Sequence, residues 1–365
     1  MNNEQIIRYS RQILLTNFGE TAQEKLLAAK VLVIGAGGLG CPVLQYLAAS
    51  GVGVIGIADA DKVSLSNLQR QVLFTDDDIG KHKTTIAAKR LRQMNPGIVI
   101  NEHIIFINTE NAFSLINDYD IIIDGTDNFA TRYLINDACV LLNKPLVFGA
   151  VFQYEGQIAV FNVEDESKIR INYRHLFPVP PSTEEAPDCA TAGVFGVLPG
   201  IIGIMQATET IKFITGIGTS LINKLLFYNA LSNETFTIDI SGAHQTKIIM
   251  PLNQAAFIKT NYEVFCNPVL NDVQQIDAAT FNVFLNDKNI AIIDVRELNE
   301  KPLATFRHQQ IPLSVFKNNV DKIDAEKIVL FCKSGVRSLT AADLLMEHLK
   351  SKKTVYNLRG GILSL

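Results

Sequence analysis

The stretch that most constrains the fold is VLVIGAGGLG at residues 31–40, in which an apolar run leads into a glycine-rich turn. A helical pattern follows, so the segment predicts a strand, a loop and a helix. Its glycines Gly35, Gly37 and Gly40 form the G-x-G-x-x-G fingerprint of dinucleotide-binding proteins, in which the backbone closely approaches a phosphate. Asp59 follows at about the 20-residue distance that this fingerprint expects of a ribose-binding acid. The segment predicts a nucleotide site, and an NAD-dependent oxidoreductase is the first enzyme class to consider.

The order of the apolar runs extends this prediction to a doubly wound, mostly parallel α/β sheet. Strands that alternate with helices imply helices on both faces of the sheet. The predicted strands are residues 30–34, 53–58, 98–103, 120–124 and 145–150, and the predicted helices are residues 40–50, 81–94 and 131–142. From Gln157 onward the pattern changes to short strands and one long helix over residues 200–215.

A second, smaller α/β unit is predicted in the last part of the chain. Residues 251–271 show no clear pattern and are expected to link a first domain at residues 1–250 to a second domain at residues 272–365. The second domain has predicted strands at residues 290–295, 327–331 and 354–358, and a predicted helix at residues 337–350. A chain of 365 residues has the length of two such domains.

Composition excludes several classes of protein. The formal net charge is −4 and no segment is strongly basic, so nucleic acid is not expected as a partner. The N-terminal residues lack the apolar core of a secretory signal. The most apolar stretch, residues 192–205, is interrupted by glycines and a proline and is shorter than the about 20 residues of a membrane span. The five cysteines are scattered and odd in number, which argues against a disulfide framework and favours the cytoplasm.

A dense polar segment follows the predicted ribose-binding acid and helps to distinguish between nucleotides. It contains Asn67 and Arg70, and Lys83 comes soon after. Two cations with amide donors suit a triphosphate better than a pyrophosphate. Asp127 follows the predicted strand 120–124, at the edge of the sheet where open α/β sheets bind ligands. Its carboxylate could hold Mg²⁺ against phosphate oxygens, or it could cap the next helix.

Five motifs, taken in order, resemble the MoeB/ThiF/HesA family, the bacterial relatives of ubiquitin-activating enzymes. The motifs are RYSRQ at residues 8–12, GAGGLG at 35–40, DADKVSLSNLQRQ at 59–71, KHK at 81–83 and GTDN at 125–128. The resemblance covers residues 1–250. It implies that the first domain binds Mg-ATP and joins AMP to the C-terminal Gly-Gly of a ubiquitin-like sulfur-carrier protein of the MoaD/ThiS type.

The resemblance also implies a role for each matching residue. The implied ATP-contacting residues are Gly35, Gly37, Gly38, Gly40, Asp59, Ser66, Asn67, Leu68, Gln69, Arg70, Lys83, Asp127 and Asn128. Asp59 would bind the ribose hydroxyls and Asp127 the metal. The phosphates would be contacted by Asn67, Arg70 and Lys83. Arg11 would reach the γ-phosphate bound by the neighbouring protomer, which requires a homodimer; the alternative is an ordinary surface charge.

The chain departs from the family at the zinc site. Relatives usually hold a zinc ion between two C-x-x-C pairs, and this chain has neither pair. The first would fall at residues 172–175, which read NYRH, and the second near Cys266, the one cysteine in that stretch. His175 and Cys266 would supply two ligands, which do not close a structural zinc site, so zinc is not expected.

Three further cysteines of the first domain receive separate interpretations. Cys189 matches the cysteine of the family's mobile loop, which in relatives can take over the activated acyl group. The alternative for Cys189 is a bystander thiol, since adenylation alone does not need it. Cys41 and Cys139 lie in apolar helical patterns and are interpreted as core residues.

The second domain resembles a rhodanese domain. CKSGVRS at residues 332–338 puts Cys332 directly after a predicted strand and before a helix, where backbone amides form an anion-binding nest. Lys333 and Arg337 are expected to add positive charge and to favour a thiolate or persulfide. Asp294 and Arg296 are interpreted as a structural ion pair at a strand end. The resemblance implies that Cys332 carries sulfane sulfur from a donor such as a cysteine desulfurase.

Together the two resemblances imply an adenylyltransferase with a sulfurtransferase domain. The implied catalytic residues are Arg11, Arg70, Lys83, Asp127, Cys189 and Cys332. The product would be a carrier thiocarboxylate for the biosynthesis of molybdenum cofactor or thiamine. Two alternatives remain. An NAD-dependent oxidoreductase does not explain Arg70, Lys83 or the rhodanese-like domain, and the ATP-site residues argue against a non-catalytic scaffold for the carrier.

Overall fold

The structure is a computed structural model that describes residues 1–181, 193–266, 273–348 and 353–365. The chain divides into two compact units, Met1–Cys266 and Asn267–Leu365. Each unit contains its own sheet and its own apolar clusters.

The first unit is built on a sheet whose central strands are parallel. These strands are β1 (Lys30–Ile34), β2 (Val54–Ala58), β3 (Val99–His103), β4 (Ile121–Asp124) and β5 (Leu146–Phe152). They lie in the order β3-β2-β1-β4-β5. The chain therefore winds outward in opposite directions from β1, and such a switch point opens a crevice at the carboxyl ends of the central strands.

Antiparallel strands extend the same sheet on one side. They are β6 (Glu155–Phe161), β7 (Lys224–Asn229) and β8 (Glu234–Asp239), and they pair in sequence after β5. The change of pattern predicted after Gln157 coincides with this change from parallel to antiparallel pairing. Within the described residues β8 is the edge strand, and all of its residues are exposed.

Helices cover both faces of the parallel strands. They are α1 (Asn3–Ile13), α2 (Gly19–Ala28), α3 (Gly40–Ser50), α4 (Lys83–Met94), α5 (Ala112–Asn117), α6 (Phe129–Leu141), α7 (Tyr173–Leu176), α8 (Leu198–Thr215), α9 (Gln254–Lys259) and α10 (Tyr262–Cys266). Val31 and Val33 of β1 join one apolar cluster with α3 and α4, while Leu32 and Ile34 join another with α5 and α6. Because side chains alternate along a strand, burial on both faces requires the continuous apolar run seen in β1.

The predicted doubly wound α/β fold is confirmed, and its deviations are small. β1 and α3 have the predicted bounds. The helix predicted from residue 81 begins at Lys83, because His82 is still extended. The helix predicted from residue 131 begins at Phe129, since the side chain of Asn128 accepts a hydrogen bond from the Thr131 N–H at 2.9 Å and caps α6.

The linker predicted at residues 251–271 is corrected by the structure. Residues 254–266 form α9 and α10, and both helices pack against α6. Phe257 and Tyr262 are buried in the same apolar cluster as Tyr133. The first unit therefore extends to Cys266. The sequence pattern did not reveal these helices because they have only 6 and 5 residues, too few for a helical repeat to be recognised.

A buried ion pair joins α6 to α7 and α10, and the last two are the segments where the family resemblance would put the zinc ligands. Arg174 donates to both carboxylate oxygens of Asp137 at 2.7 Å, and the Tyr262 hydroxyl donates to Asp137 Oδ2 at 2.8 Å. The guanidinium carbon lies 4.5 Å from the ring centre of Phe265 and 4.9 Å from that of Tyr133. The charge is thus paired, hydrogen-bonded through Nε and Nη2 and covered by aromatic rings, all of which favour a buried ion pair. Nη1 of Arg174 is buried without a hydrogen-bond partner among the described residues.

The second unit has a smaller sheet that is parallel throughout. Its strands are β9 (Val273–Ile276), β10 (Ile290–Asp294), β11 (Gln309–Gln310), β12 (Lys327–Phe331) and β13 (Thr354–Leu358), in the order β11-β10-β12-β13-β9. Its helices are α11 (Ala278–Leu285), α12 (Leu313–Phe316) and α13 (Val336–His348). β12 and β13 have the predicted bounds. The predicted ion pair is present, with Arg296 Nη2 2.6 Å from Asp294 Oδ2, and both residues are buried.

Replacing Asp137 tests the importance of the buried ion pair. We expect Asp137→Ala to leave Arg174 charged and buried without a partner and to destabilise the first unit by about 3–5 kcal/mol. Tyr262→Phe removes one hydrogen bond and is expected to cost about 1 kcal/mol. Hydrogen–deuterium exchange of α6 peptides, followed by mass spectrometry, measures the free energy of opening in each variant. Equally small effects of the two substitutions would contradict this role of the ion pair.

Candidate functional site

The turn after β1 has a backbone conformation that only glycine adopts without strain. Gly35 has a φ of +96°, and a Cβ atom there would lie 2.6 Å from the carbonyl oxygen of Gly125. A Cβ atom at Gly40 would clash with the carbonyl oxygen of Gly35. The turns after β1 and β4 are therefore in direct backbone contact. Gly37 has more space, since a Cβ atom there would lie 3.6 Å from Nε2 of Gln71.

The backbone amides of the glycine turn that leads into α3 are available to a ligand. Inside the helix the Cys41 N–H already donates to the Gly37 carbonyl oxygen at 2.9 Å, whereas the N–H groups of residues 37–40 have no hydrogen-bond partner among the described residues. A helix N-terminus leaves backbone N–H groups without partners inside the helix and carries a partial positive charge. The glycine turn and the start of α3 together form a cradle for a phosphate group.

Asp59 is fixed against the glycine turn at the end of β2. Its Oδ2 accepts a hydrogen bond from the Ala36 N–H at 2.8 Å, and its Oδ1 accepts one from the Asp61 N–H at 2.7 Å. Burial raises the pKa of Asp59 above its ordinary value, and the positive charge of Lys83 opposes that rise. The carboxylate thus lies at the position from which the dinucleotide fingerprint binds a ribose.

The segment after β2 folds back over the glycine turn. It contains a 3₁₀ turn at Leu65–Asn67. A Cβ atom at Gly38 would lie 3.4 Å from Cγ of Arg70, so the arginine stem touches the turn. The Arg70 guanidinium donates to the carbonyl oxygen of Ser66 at 3.1 Å. The charge of Arg70 is held beside the phosphate cradle by a neutral partner.

The other residues of this segment differ in exposure. The Asn67 side chain accepts a hydrogen bond from the Ser64 N–H at 3.3 Å. Gln69 is exposed and Leu68 is half-buried against the apolar cluster beneath it. Gln71 is only 3% exposed, and its Oε1 has no hydrogen-bond partner in the described part of the chain. An unsatisfied buried amide oxygen beside the glycine turn fits a site that acquires polar partners with its ligand.

Lys83 begins α4 and faces the same crevice. Its side chain is buried, and Nζ donates to Oδ2 of Asp61 at 2.9 Å. The Lys83 N–H also donates to the Asp61 carbonyl oxygen at 2.9 Å. These two bonds give Asp61 a structural role in the loop. They fix the ammonium group near Asp59.

The structure distinguishes between the two interpretations of Asp127, as a metal ligand and as the cap of a helix. The cap of α6 is Asn128 and not Asp127, which is exposed at the carboxyl end of β4. The buried Asp124 carboxylate below it accepts hydrogen bonds from the Thr126 N–H and hydroxyl at 2.9 and 2.6 Å. Asp127 therefore has a carboxylate that can face a ligand, on a turn that its neighbours fix.

The start of α8 lies above the glycine turn, which the sequence analysis did not predict. A Cβ atom at Gly38 would lie 3.0 Å from Cβ of Pro199, and one at Gly196 would lie 2.5 Å from Oε1 of Gln69. These contacts join parts of the chain that are far apart in sequence. No local pattern could have identified Pro199 or Gly196.

The structure thus brings together the predicted residues of the glycine turn, Asp59, the polar segment, Lys83 and Asp127. Arg11 lies elsewhere, exposed on α1. Tyr9 anchors α1 by contacts to Asn95 and Gly51, at the C-terminal ends of α4 and α3. The crevice lies at the N-terminal end of α3, and 11 residues of helix span roughly 16 Å. Cys189 lies outside the described residues.

Cys332 follows β12 and is buried, with two donors directed at its sulfur. The Gly335 N–H donates to Sγ at 3.1 Å, and the Ser338 hydroxyl donates to it at 3.4 Å. Gly335 has a φ of +90°, which turns its amide back towards the sulfur. Such donors stabilise a negative charge on sulfur.

The loop that contains Cys332 is supported by the last residues of the chain. The N–H groups of Ile362 and Leu363 donate to the carbonyl oxygens of Cys332 and Lys333 at 2.8 and 3.2 Å. The side chain of Asn357 donates to the Gly335 carbonyl oxygen at 3.1 Å. These bonds fix the conformation of the loop.

The expected contribution of Arg337 to the charge of this loop is corrected. Its guanidinium donates to both carboxylate oxygens of Glu300, at 2.6 and 2.7 Å. Glu300 compensates the charge that was expected to act on Cys332 alone. The sequence analysis could not predict this pair because Glu300 lies in a loop 37 residues before Arg337, which is at the start of α13. Lys333 is exposed.

No group of three or more His, Cys, Asp or Glu side chains within the described ranges is arranged to hold a metal ion. His175 Nδ1 instead accepts a hydrogen bond from the Asn172 N–H at 3.1 Å. Cys41 and Cys139 are buried in the core as interpreted, and burial raises the pKa of Cys41 to about 12. Across the residues that the structure describes, no helix combines the length and apolar character needed to cross a membrane.

Comparison with known proteins places this geometry in a family. The ThiF family matches residues 9–248, and the rhodanese-like domain matches residues 277–364. The chain is 41% identical over 352 residues to the probable adenylyltransferase/sulfurtransferase MoeZ of Mycobacterium tuberculosis, covering 93% of this chain and 88% of that protein. It is 49% identical over 229 residues to the sulfur carrier protein adenylyltransferase of Thermus thermophilus, covering 62% of this chain and 84% of that protein.

A solved structure agrees with the fold. The crystal structure of E. coli MccB with MccA-N7isoASN is similar to this chain with a TM-score of 0.56 at 25% identity, covering 66% of this chain and 73% of MccB. The resemblance to the MoeB/ThiF/HesA family and to a rhodanese is confirmed by the two family matches. The chain therefore belongs to the ThiF family, carries a C-terminal rhodanese-like domain, and is an enzyme of the adenylyltransferase and sulfurtransferase type.

Proposed function

We propose that the first unit uses Mg-ATP to adenylate the C-terminal Gly-Gly of a ubiquitin-like sulfur-carrier protein, and that the second unit supplies sulfur through a persulfide on Cys332. The product is a carrier thiocarboxylate. The observation that carries the proposal is the convergence of Asp59, Arg70 and Lys83 on one glycine cradle. The same chain also has a loop with a backbone amide directed at the sulfur of Cys332. The Thermus thermophilus relative is named for a sulfur carrier protein, which supports this choice of partner.

The cradle fits ATP as the substrate. The amides of the glycine turn would bind phosphate oxygens, and Asp59 would bind the ribose hydroxyls. Arg70 and Lys83 would stand on either side of the phosphates, each fixed by a bond that leaves further N–H donors free. Asp127 would hold Mg²⁺ together with phosphate oxygens, and the bound ion would neutralise phosphate charge.

In the adenylation step, the carrier carboxylate attacks the α-phosphorus of ATP. A P–O bond forms, the bond to the leaving oxygen breaks, and pyrophosphate departs with the electron pair. Negative charge on the phosphoryl oxygens increases in the transition state, so fixed cations beside them lower the barrier. Arg70, Lys83 and the amides of the cradle are the groups of this chain that would supply this stabilisation.

A homodimer is part of the proposal. Arg11 is anchored at the end of α3 away from the cradle, so it would act on the ATP of a partner subunit. α1 has exposed apolar side chains on the same helix, namely Ile6, Ile7 and, just after its end, Leu14. A second copy of the chain would cover these side chains and bring Arg11 to its site.

In the sulfur step, the outer sulfur of the Cys332 persulfide attacks the acyl adenylate and AMP leaves, which gives an acyl disulfide. A second thiolate then attacks the Cys332 sulfur, releases the thiocarboxylate and leaves a disulfide. Cys189 stays a candidate for carrying the acyl group. The sulfur donor is proposed to be a persulfide enzyme such as a cysteine desulfurase, in the cytoplasm, and the pathway molybdenum cofactor or thiamine biosynthesis.

The adenylation step is tested by carrier-dependent exchange of pyrophosphate into ATP. We expect Arg70→Ala and Asp127→Ala each to lower the exchange rate by about 100-fold, because each removes a contact with charge that increases in the transition state. Lys89→Ala and Asp77→Ala, at exposed positions of the same unit, are matched controls and should retain the wild-type rate. Tight NAD binding without ATP binding would favour the oxidoreductase alternative. Carrier binding without exchange would favour the scaffold alternative.

Hybrid dimers test the role of Arg11. Arg11→Ala and Lys83→Ala proteins are each expected to be inactive in exchange. After the two are mixed and allowed to exchange subunits, a hybrid dimer has one site with both residues, so activity should partly return. An active wild-type monomer in analytical ultracentrifugation, or no recovery despite verified hybrid formation, would contradict the shared site.

The sulfur step is tested on intact protein by mass spectrometry. After incubation with a sulfur donor, a gain of about 32 Da at Cys332 is expected, since the persulfide adds one sulfur atom. Cys332→Ala should keep pyrophosphate exchange, because adenylation takes place in the other unit, and should lose thiocarboxylate formation unless sulfide is added. An unmodified Cys332 beside an active adenylation site would contradict the persulfide.

A further inference from the structure

The anion-binding face of Arg337 is already occupied by Glu300. The guanidinium Nη1 and Nη2 each donate to one carboxylate oxygen, at 2.6 and 2.7 Å. This two-bond geometry is also the one in which arginine binds doubly charged oxyanions. Glu300 Oε1 accepts a further hydrogen bond from the Glu297 N–H at 2.9 Å, so the backbone fixes the carboxylate as well. Glu300 therefore stands where an anionic group of a substrate would bind.

This ion pair acts close to the reactive sulfur. Arg337 directly precedes Ser338, whose hydroxyl contacts Cys332 Sγ, and the charges of Arg337 and Cys332 interact. Hydrogen bonds from Arg337 lower the pKa of Glu300 to about 2, so the carboxylate is ionised at neutral pH. The guanidinium charge is thus compensated, and the remaining cation of the loop is Lys333, whose side chain is exposed.

We propose that Glu300 is a specificity-determining residue for sulfur transfer to Cys332. By occupying the guanidinium of Arg337, it disfavours donors that have a second negative charge beside the transferred sulfur. The inference rests on the proposed function of Cys332. It concerns a residue outside the CKSGVRS motif. It predicts that removal of the Glu300 carboxylate improves sulfur transfer from more highly charged donors.

Two small donors isolate this charge effect. Thiosulfate and methanethiosulfonate both present an outer sulfur on an oxidised sulfur atom, and thiosulfate has one more negative charge. In both, the Cys332 thiolate attacks the outer sulfur, the S–S bond breaks, and sulfite or methanesulfinate leaves with the electron pair. Cyanide then takes the outer sulfur as thiocyanate and regenerates the Cys332 thiolate, so no further oxidant or reductant is needed.

The test is the ratio of kcat/KM for thiosulfate to kcat/KM for methanethiosulfonate, measured on the full chain. Glu300→Gln keeps the size of the side chain and removes its charge. We expect this variant to raise the ratio about tenfold, mainly through a lower KM for thiosulfate, since one charge-assisted interaction becomes available. Glu326→Gln, an exposed glutamate of the same unit, is the matched control and should leave the ratio unchanged.

Repeating the substitution in a chain that lacks Arg337 shows whether Glu300 acts through Arg337. In an Arg337→Gln chain, Glu300→Gln should no longer change the ratio. An unchanged or lower ratio in Glu300→Gln alone, with an unaltered melting temperature, would overturn the proposal. So would a rise of equal size in the Arg337→Gln background.

Failure of the proposed function can be distinguished from failure of the inference about Glu300. If the wild-type chain takes sulfur from neither small donor and from no cysteine desulfurase, the role of Cys332 is refuted. Binding of sulfate, an unreactive dianion, then tests Glu300 without chemistry. Isothermal titration calorimetry at constant ionic strength should give about tenfold tighter sulfate binding to Glu300→Gln than to wild type, and equal affinities would overturn the proposal.

Discussion

The backbone contact between the turns after β1 and β4 is the constraint on which the nucleotide site depends. Gly35 and Gly125 approach so closely that any side chain between them would push the two turns apart. With the turns in contact, the amides of residues 37–40 open into the crevice and the Asp59 carboxylate can bind the Ala36 amide. The start of α8 then covers the cradle through Pro199. Each later element of the site is positioned relative to this one contact.

The two units use the same local arrangement for different purposes. In each, a buried parallel strand ends in a glycine-containing loop that leads into a helix. In the first unit the amides of the loop are left open, which suits an anion that arrives and departs. In the second unit the Gly335 amide is already bonded to Cys332 Sγ, which suits an anionic group that is part of the chain itself.

The sequence predicts those features of the fold and site that depend on local patterns. β1 and α3 were predicted with their bounds because an apolar run, a glycine turn and a helical repeat follow one another directly. The polar segment and Cys332 were identified from the order and spacing of residue types. The short helices α9 and α10 were missed because they have no measurable repeat. Long-range partners, such as Glu300 for Arg337, leave no trace in either local segment.

The ion pair of Arg174 and Asp137 has a consequence for how this chain can change over evolutionary time. A structural zinc site is closed only when all four of its protein ligands are present. Here each partner would leave a buried charge or an unsatisfied hydrogen bond if it were lost alone. We therefore expect Asp137, Arg174 and Tyr262 to be retained or replaced together among related chains that lack the cysteine pairs. In a chain that regained the cysteine pairs, a zinc ion would join these segments, and all three residues could then be replaced.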